Sequence, residues 1–386
     1  DNTVFNISFA GASASGNSYT FSGAANFAND GTLTFGNESA DNFTFNGGLT
    51  TSSVAGTVTL VSSNFSSSDD ALTFGAVTLG NNVTIDTNST TTNRADITIG
   101  AVTGGNNTLT LTTENNITGS DITASGAISG VTTLTLASVG GTATLSGDVD
   151  VSTLSVDNTV ANVAITGDGS TVTNAISFAN DGTLTIGDAN TDDITFNGGL
   201  TTTSVGGTVT LGGNIAASND AIVLGAVTLA NSITIDTNAS ANSADLTIGA
   251  VTGGSNNLTL STGDNVAGAD ITASGAISGL GNLTLADVGG TATFSNNVAA
   301  AALNANNTVA NIIFTGSTNT FSAASTLAND GTLIFGNSTG DSFTFNGGLN
   351  TSSVAGTVTL NTSISSSDDA LTFGAVTLGN NVTIDT

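Results

Sequence analysis

A short alternation of polar and apolar residues recurs along the whole chain. Its unit is a tetrad of the form polar–apolar–polar–apolar, in which the third residue is usually Thr. Alternation of this kind is typical of a β-strand that buries one face. The last apolar residues of the tetrads are Phe9, Phe35, Leu60, Ile85, Leu111, Leu136, Ile165, Ile186, Leu211, Ile235, Leu260, Leu285, Phe314, Phe335, Leu360 and Ile384.

These sixteen positions recur at an average interval of about 25 residues, a short period of the kind that solenoid repeats have, and no helical pattern lies between them. A strand that recurs at this interval predicts one coil of a parallel β-solenoid, and we expect all sixteen positions to stack in one column. A second strand follows about ten residues later, as in NFTF at 42–45, and a weaker third one follows as in GAVTL at 75–79. Each coil is therefore predicted to have three strands.

The predicted fold is all-β: a parallel β-solenoid of about 16 coils of about 25 residues, with a roughly triangular section. Because coils stack about 4.8 Å apart, they would form an elongated rod about 75 Å long. Gly31, Gly56, Asn81 and Asn107 precede the first strand of their coils, where we expect left-handed turns. The alternative all-β fold, a string of immunoglobulin-like sandwiches, would need about seven strands per hundred residues, with the sequence varying between them.

A longer repeat of about 150 residues contains the coils. The segment from Ala28 to Leu60 recurs from Ala328 to Leu360 with only six substitutions, and a third version runs from Ala179 to Leu211. We place repeat 1 at 1–156, repeat 2 at 157–305 and a partial repeat 3 at 306–386, with six coils per full repeat in one continuous rod. No cap is apparent, so we expect the coils to continue in the same chain or to stack on a second copy as a filament.

Composition supports this fold and narrows the function. The chain carries 29 acids and one base, a formal charge of −28, and a nucleic-acid partner would require clustered Lys and Arg. There is no His, Cys or Lys, so most catalytic chemistry lacks its usual side chains. Pro is absent, which suits strands that are paired on both sides. No apolar run of about 20 residues could form a transmembrane segment.

Tetrads such as TLTF, TVTL and DITI, joined by NDG, GGN and NGG turns, resemble the giant β-strand-repeat surface proteins of bacteria, including filamentous-haemagglutinin-like and autotransporter-passenger adhesins. The resemblance covers the whole chain and lies in composition. It implies an exported, extracellular or cell-surface bacterial fibre or adhesin stalk, with no catalysis by the repeats and with cell-surface glycans as candidate partners. The sequence departs from this family in lacking Lys and Gln.

A column of Asp residues is predicted at the start of the second strand. Stacked carboxylates repel each other, and Ca²⁺ bridging would relieve that repulsion. Alternatively, each Asp forms a solvated turn with its own backbone, and no metal or other cofactor is bound. The candidate residues are Asp41, Asp70, Asp96, Asp121, Asp193, Asp220, Asp245, Asp270, Asp341 and Asp369.

Outward Thr pairs form the second candidate site. Regular TxT rows resemble the ice-binding faces of β-helical antifreeze proteins, while the simpler interpretation is that Thr has a high β-propensity and packs against its stacked neighbours. Asn and Ser interrupt the rows at several positions, including Asn82, Asn162 and Asn257. The predicted surface comprises Thr32, Thr34, Thr57, Thr59, Thr108, Thr110, Thr133 and Thr135.

Paired acids form the third candidate site. These acids could in principle act as the two carboxylates of a polysaccharide-active enzyme. They are Asp192 and Asp193, Asp69 and Asp70, Asp368 and Asp369, and the alternating Asp148 and Asp150. Such enzymes also use aromatic platforms, and we expect the Phe residues that the strand pattern places, such as Phe35, Phe43, Phe45, Phe74 and Phe196, to lie at inward positions in the core. We therefore predict no enzyme and no catalytic residues.

Overall fold

The computed structural model of the protein describes residues 4–11, 15–90, 94–114 and 117–386. The chain divides into two compact units, of which the first comprises Asp1–Gly187 with Ser204–Gly207 and the second comprises Asp188–Thr203 with Thr208–Thr386. Within the described residues the only regular elements are β-strands. This part of the chain contains no helix that is long and apolar enough to cross a membrane. The long-repeat boundaries stay a prediction.

Both units are parallel β-solenoids, as the sequence predicted, and together they contain about 17 coils. In the first unit the strands pair from coil to coil in three ladders, which we number in the order in which the chain reaches them. Ladder 1 contains Ile7–Phe9, Leu33–Phe35, Val58–Leu60, Val77–Leu79, Val102–Thr103, the first parts of Ile128–Ala137 and Val149–Val156, and Thr171–Val172. Ladder 2 contains Ser18–Phe21, Asn42–Phe45, Asn64–Ser66, Val83–Asp86, Thr108–Thr112 and the second parts of Ile128–Ala137 and Val149–Val156, which Ile176–Ser177 follows along the chain. Ladder 3 contains Ala25–Asn26, Leu49–Thr50, Leu72–Phe74, Ile97–Ile99, Ile122–Ala124, Val139–Leu145, Val160–Ile165 and Leu184–Ile186.

The second unit has the same organisation, with ladders 4, 5 and 6. Ladder 4 contains Asp193–Phe196, Asn214–Ala216, Ile233–Ala239, Leu258–Gly263, the second parts of Ile277–Ala286 and Val298–Ala305, Ser325–Leu327, Leu349–Asn350 and Leu371–Thr372. Ladder 5 contains Leu200–Thr201, Ile222–Leu224, Leu246–Ile248, Ile271–Ala273, Val288–Phe294, Val309–Phe314, Leu333–Phe335, Val358–Leu360 and Val376–Leu378. Ladder 6 contains Val209–Leu211, Val227–Leu229, Val251–Thr252, the first parts of Ile277–Ala286 and Val298–Ala305, Thr318–Phe321, Ser342–Phe345, Ser363–Ser365 and Ile384–Asp385.

The prediction of a single column of sixteen positions is wrong. Phe9, Phe35 and Leu60 stack in ladder 1, but Leu60 then pairs with Leu79, and Ile85 lies in ladder 2. The physical reason is that the weak third strand predicted at GAVTL is a full member of ladder 1, so the chain has already completed this coil when it reaches Leu79. The step from the tetrad at Leu60 to the tetrad at Ile85 therefore spans one coil plus one further strand.

The long repeat consequently does not contain six coils. In the first unit Leu33–Phe35 belongs to ladder 1, whereas its equivalent one repeat later, Leu184–Ile186, belongs to ladder 3. The chain completes six coils along ladder 1 after Leu33–Phe35 and then crosses two more sides before it reaches Leu184–Ile186. The second unit repeats this behaviour, because Asp193–Phe196 lies in ladder 4 and its equivalent Ser342–Phe345 lies in ladder 6.

The core of each unit is a stack of inward apolar side chains from the three ladders. In the first unit the ring of Phe43 stacks on Tyr19 at 4.6 Å and on Phe65 at 5.5 Å between centroids. In the second unit Phe294 stacks on Phe314 at 4.8 Å. Each ring buries a large apolar area, so these stacks contribute strongly to stability.

Glycine at the coil corners has a different role from the one predicted. Neither Gly31 nor Gly56 has left-handed backbone, and a Cβ atom on Gly56 would lie 2.4 Å from the carbonyl oxygen of Gly31 in the preceding coil. Glycine is therefore required here because successive backbones approach closely. Asn107 also lacks left-handed backbone, and its Nδ2 donates to the carbonyl of Gly104 at 2.9 Å.

Candidate functional site

The predicted Asp column is distributed over several sides of the coils. Two groups of three remain together, because Asp70, Asp96 and Asp121 precede consecutive strands of ladder 3. The second group precedes consecutive strands of ladder 5 and contains Asp220, Asp245 and Asp270. The other four lie at the starts of strands in three different ladders. Asp41 belongs to ladder 2, Asp193 and Asp369 belong to ladder 4, and Asp341 belongs to ladder 6.

The grouped carboxylates connect one coil to the next. Oδ1 of Asp96 accepts the backbone N–H of Asp121 at 2.9 Å, and Oδ1 of Asp121 accepts the N–H of Thr142 at 2.7 Å. The second unit has the same chain of contacts, from Asp245 to Asp270 at 3.0 Å and from Asp270 to Thr291 at 2.7 Å. We call such a corner oxygen, which accepts an N–H group of the following coil, a coil bracket.

Asparagine forms coil brackets as well. Oδ1 of Asn82 accepts the N–H of Thr108 at 2.9 Å, and Oδ1 of Asn257 accepts the N–H of Asn282 at 2.7 Å. Asn162 and Asn311 hold the next coil in the same way. These are residues that interrupt the outward Thr rows, so the interruptions have a structural role that the tetrad pattern did not reveal.

Three equivalent carboxylates are buried and accept hydrogen bonds from the backbone of their own loop. Asp41 is fully buried, and its Oδ2 accepts the N–H groups of Asn37 and Glu38 at 3.0 and 3.3 Å. Burial raises the pKa of this carboxyl, but the hydrogen bonds from Asn37, Asn17 and Glu38 outweigh burial, so the net pKa is lowered.

The second-repeat equivalent of Asp41 is Asp192 and not Asp193, which the sequence had placed in the column. Oδ2 of Asp192 accepts the N–H groups of Asp188 and Ala189 at 2.8 and 2.9 Å, whereas Asp193 is exposed. Asp341 makes the matching contacts in repeat 3. Alignment of the long repeats, which share the segment ANDGTL, would have identified Asp192.

A different set of buried asparagines donates hydrogen bonds. Nδ2 of Asn329 donates to the carbonyl oxygens of Ala310, Gly331 and Thr332 at 3.1, 3.1 and 3.0 Å. Its repeat equivalents Asn29 and Asn180 make the same three-fold contact. The Oδ1 atoms of all three are buried without a hydrogen-bond partner. We call these residues the donor asparagines.

Metal binding by the Asp groups is open to a direct test. In the part of the chain that the structure describes, no group of three or more acidic side chains is arranged to hold a metal ion. We expect Asp121→Asn to leave the free energy of unfolding unchanged, because the amide oxygen still accepts the N–H of Thr142. Asp121→Ala removes the acceptor, so we expect the free energy of unfolding measured by urea denaturation to fall by about 1 kcal/mol. If Ca²⁺ bridged these carboxylates, the Asn variant would be destabilised and EDTA would lower the melting temperature of the unmodified protein.

The predicted Thr surface lies on two sides of the first unit. Thr34 pairs with Thr59 in ladder 1, and Thr32 and Thr57 precede these two strands. The other half of the surface belongs to ladder 2, where Thr108 and Thr110 pair with Thr133 and Thr135. Ladder 3 carries its own outward row, which contains Thr50, Thr73, Thr98, Thr123 and Thr144. Thr is therefore the general outward residue of the coils.

The paired acids lie at corners, and the Phe rings placed by the strand pattern are buried. Asp69 accepts a hydrogen bond from the Thr90 hydroxyl at 2.9 Å, and Asp148 accepts the N–H of Gly169 at 3.1 Å. The prediction that Phe residues lie in the core is confirmed for Phe35, Phe43, Phe45, Phe74 and Phe196, which are at most 2% exposed.

One carboxyl pair makes stability depend on pH. Burial, together with the charge and hydrogen bond of Glu114, raises the pKa of Asp86 to about 6, although the N–H of Asn88 opposes this shift. Since the folded pKa lies above the ordinary value, the native state binds the proton more tightly than the unfolded state does. Stability should therefore fall as the pH rises from about 4 to about 6.

Replacing this carboxyl should remove that loss. We expect Asp86→Asn to raise the free energy of unfolding above pH 7 by about 1–2 kcal/mol, after discounting for partial solvent exposure. The matched control is Asp236→Asn, because Asp236 makes the same contact with Asn238 but has Gly263 at the position of Glu114. Urea denaturation at pH 4.5 and 7.5 measures both. An equal gain in the control would contradict a role for Glu114.

No protein-family model, curated protein or solved structure matches this chain.

Proposed function

We propose that this chain is a structural segment of an exported bacterial fibre or adhesin stalk, located at the cell surface or outside the cell. The observation that carries the proposal is the in-register stacking within each unit, where each strand pairs with its counterpart in the next coil and corner side chains bracket the junction. Ladder 5, for example, pairs Ile222, Leu246 and Ile271 in successive coils. Such a stack extends by adding coils, so length and stiffness are the properties it supplies.

We further propose that the coils of this chain stack on additional coils, either in a continuing chain or in a second copy. Within the first unit the inward side chains of a coil are covered from both neighbouring coils. Ile85, for example, pairs with Phe65 in one coil and with Leu111 in the next, and it is fully buried. Stacking on additional coils would cover the inward side chains of a terminal coil in the same way.

Electron microscopy of native material tests the structural proposal. We expect thin, unbranched rods of uniform width whose length varies with the number of coils or copies. Separate compact particles at all protein concentrations would contradict a fibre.

The outward Thr rows favour a second candidate function, the binding of an ordered polar surface such as ice or a glycan array. Five consecutive coils of ladder 3 present Thr in register, which fixes a regular spacing of hydroxyl groups. Thermal hysteresis and ice shaping by the purified protein would support this candidate, and glycan-array binding would identify a carbohydrate. Absence of both would leave the structural role.

A further inference from the structure

Corner oxygen acceptors, some of them coil brackets and some accepting within their own turn, occupy equivalent positions as Asp in one repeat and as Asn in another. Asp157, the first residue of repeat 2, corresponds to Asn306, the first residue of repeat 3. Oδ1 of Asp157 accepts the N–H and the hydroxyl of Thr159 at 2.8 and 2.5 Å. Oδ1 of Asn306 accepts the same two groups of Thr308 at 2.9 and 2.5 Å. The contact is the same whether or not the side chain is charged.

Two further pairs behave in the same way. Asp69 and Asn219 have left-handed backbone, with φ of 65° and 64°, and each holds the N–H and hydroxyl of the residue 21 positions later, Thr90 or Ser240. The third pair is Asp148, which accepts the N–H of Gly169, and Asn297, which accepts the N–H of Thr318. None of these six side chains is buried.

The fold therefore needs an acceptor at these corners and does not need a charge. Nevertheless, the chain has 29 acids and only one base, Arg94, so its surface has almost no cation to offset them. The other outward residues of the ladders are mostly Thr, Ser, Asn and Ala, which form uncharged faces that another sheet can approach. A large net charge of one sign keeps protein molecules apart, and salt screens it.

We infer that these corner carboxylates control lateral association between copies of this chain. At low ionic strength the corner charges of two copies repel each other, and screening by salt or neutralisation by divalent cations lets the uncharged Thr faces meet. The partner is a second copy, and the charge acts as a barrier spread over the surface without a discrete cation site. This inference goes beyond the proposed fibre, since it applies to single molecules in solution.

Two matched triple variants test the inference. Asp69→Asn, Asp148→Asn and Asp157→Asn together remove three negative charges, while Asn219→Asp, Asn297→Asp and Asn306→Asp add three at the equivalent corners. Each substitution introduces the residue that another repeat already has at that corner, so the fold should tolerate it. Static light scattering in about 10 mM salt, where the Debye length is about 30 Å, measures the repulsion between molecules as the second virial coefficient.

The two variants should shift in opposite directions. Repulsion scales with the square of the net charge, so altering three of 28 charges should lower it by about a fifth in the first variant and raise it by about a fifth in the second. The first variant should also associate at lower NaCl and MgCl₂ concentrations than the unmodified protein. Shifts in the same direction, or no shift, would overturn the inference.

Thermal unfolding followed by circular dichroism checks that both variants keep the fold. Should a triple variant unfold, the single substitutions Asp157→Asn and Asn306→Asp provide the same comparison with a smaller expected shift. The two proposals fail separately. Scattering measures repulsion between copies, whereas electron microscopy shows whether rods exist, so a negative scattering result would leave the fibre proposal standing.

Discussion

Replacing Ile85 with Ala is expected to lower the free energy of unfolding by about 2–5 kcal/mol, whereas the same substitution at Ile313 should cost about 1 kcal/mol. Ile85 is fully buried between Phe65 and Leu111 in ladder 2, and removing its side chain leaves a cavity. Ile313 lies at an outward position of ladder 5, so truncating it opens no cavity in the core. Both residues are Ile in strands that are paired on both sides, so the change in β-propensity is similar.

Urea denaturation measures both variants, and hydrogen exchange of the ladder 2 amide groups shows whether unfolding is local. Leu111→Ala and Ile334→Ala form a second inward and outward pair with the same expected ranking. Equal losses at Ile85 and Ile313 would contradict the assignment of one residue to the core and the other to the outer face.

Replacing Asn329 with Asp is expected to destabilise the second unit by about 3–5 kcal/mol at neutral pH. The side chain is fully buried, and the substitution puts a carboxylate oxygen in the place of the amide nitrogen that faces three carbonyl oxygens. A buried charge without a partner costs far more than a lost hydrogen bond. The cost should decrease in acid, where the protonated carboxyl can donate one hydrogen bond.

The matched control for this prediction is Asn219→Asp. Asn219 accepts the N–H of Ser240 through Oδ1, and Asp69 occupies the equivalent position, so we expect a change below about 0.5 kcal/mol. Denaturation at pH 4.5 and 7.5 compares the two variants. Equal effects would show that donor asparagines and coil brackets are not distinct roles.

The fold class could be predicted from the sequence because alternation of polar and apolar residues reports directly on strands, and recurrence reports on coils. The register could not be predicted in the same way. GAVTL at 75–79 is as apolar as its neighbours, but only pairing with Val58–Leu60 shows that it begins a new coil. A strand of three residues carries too little information to fix its partner, and a shift by one strand leaves the alternation intact.

The sequence predicted which residue types form the candidate site, but it did not predict which of them lie together or which hydrogen bonds they make. The sequence indicates that acids and asparagines collect at corners, but it does not distinguish an Oδ1 that accepts an N–H, as in Asn82, from an Nδ2 that donates to carbonyls, as in Asn329. That difference depends on whether the side chain points toward the next coil or into the core. Asp192 was missed because its neighbour Asp193 occupies the expected distance from the strand.

Because the long repeat does not span a whole number of coils, equivalent surface turns of successive repeats face different directions. In the first unit the turn ANDG occurs before Leu33–Phe35 and again before Leu184–Ile186, and these strands lie on different sides of the coil. An antibody raised against this turn would bind its two copies from different directions. A flat surface that touches one copy would therefore leave the other free for a different neighbour.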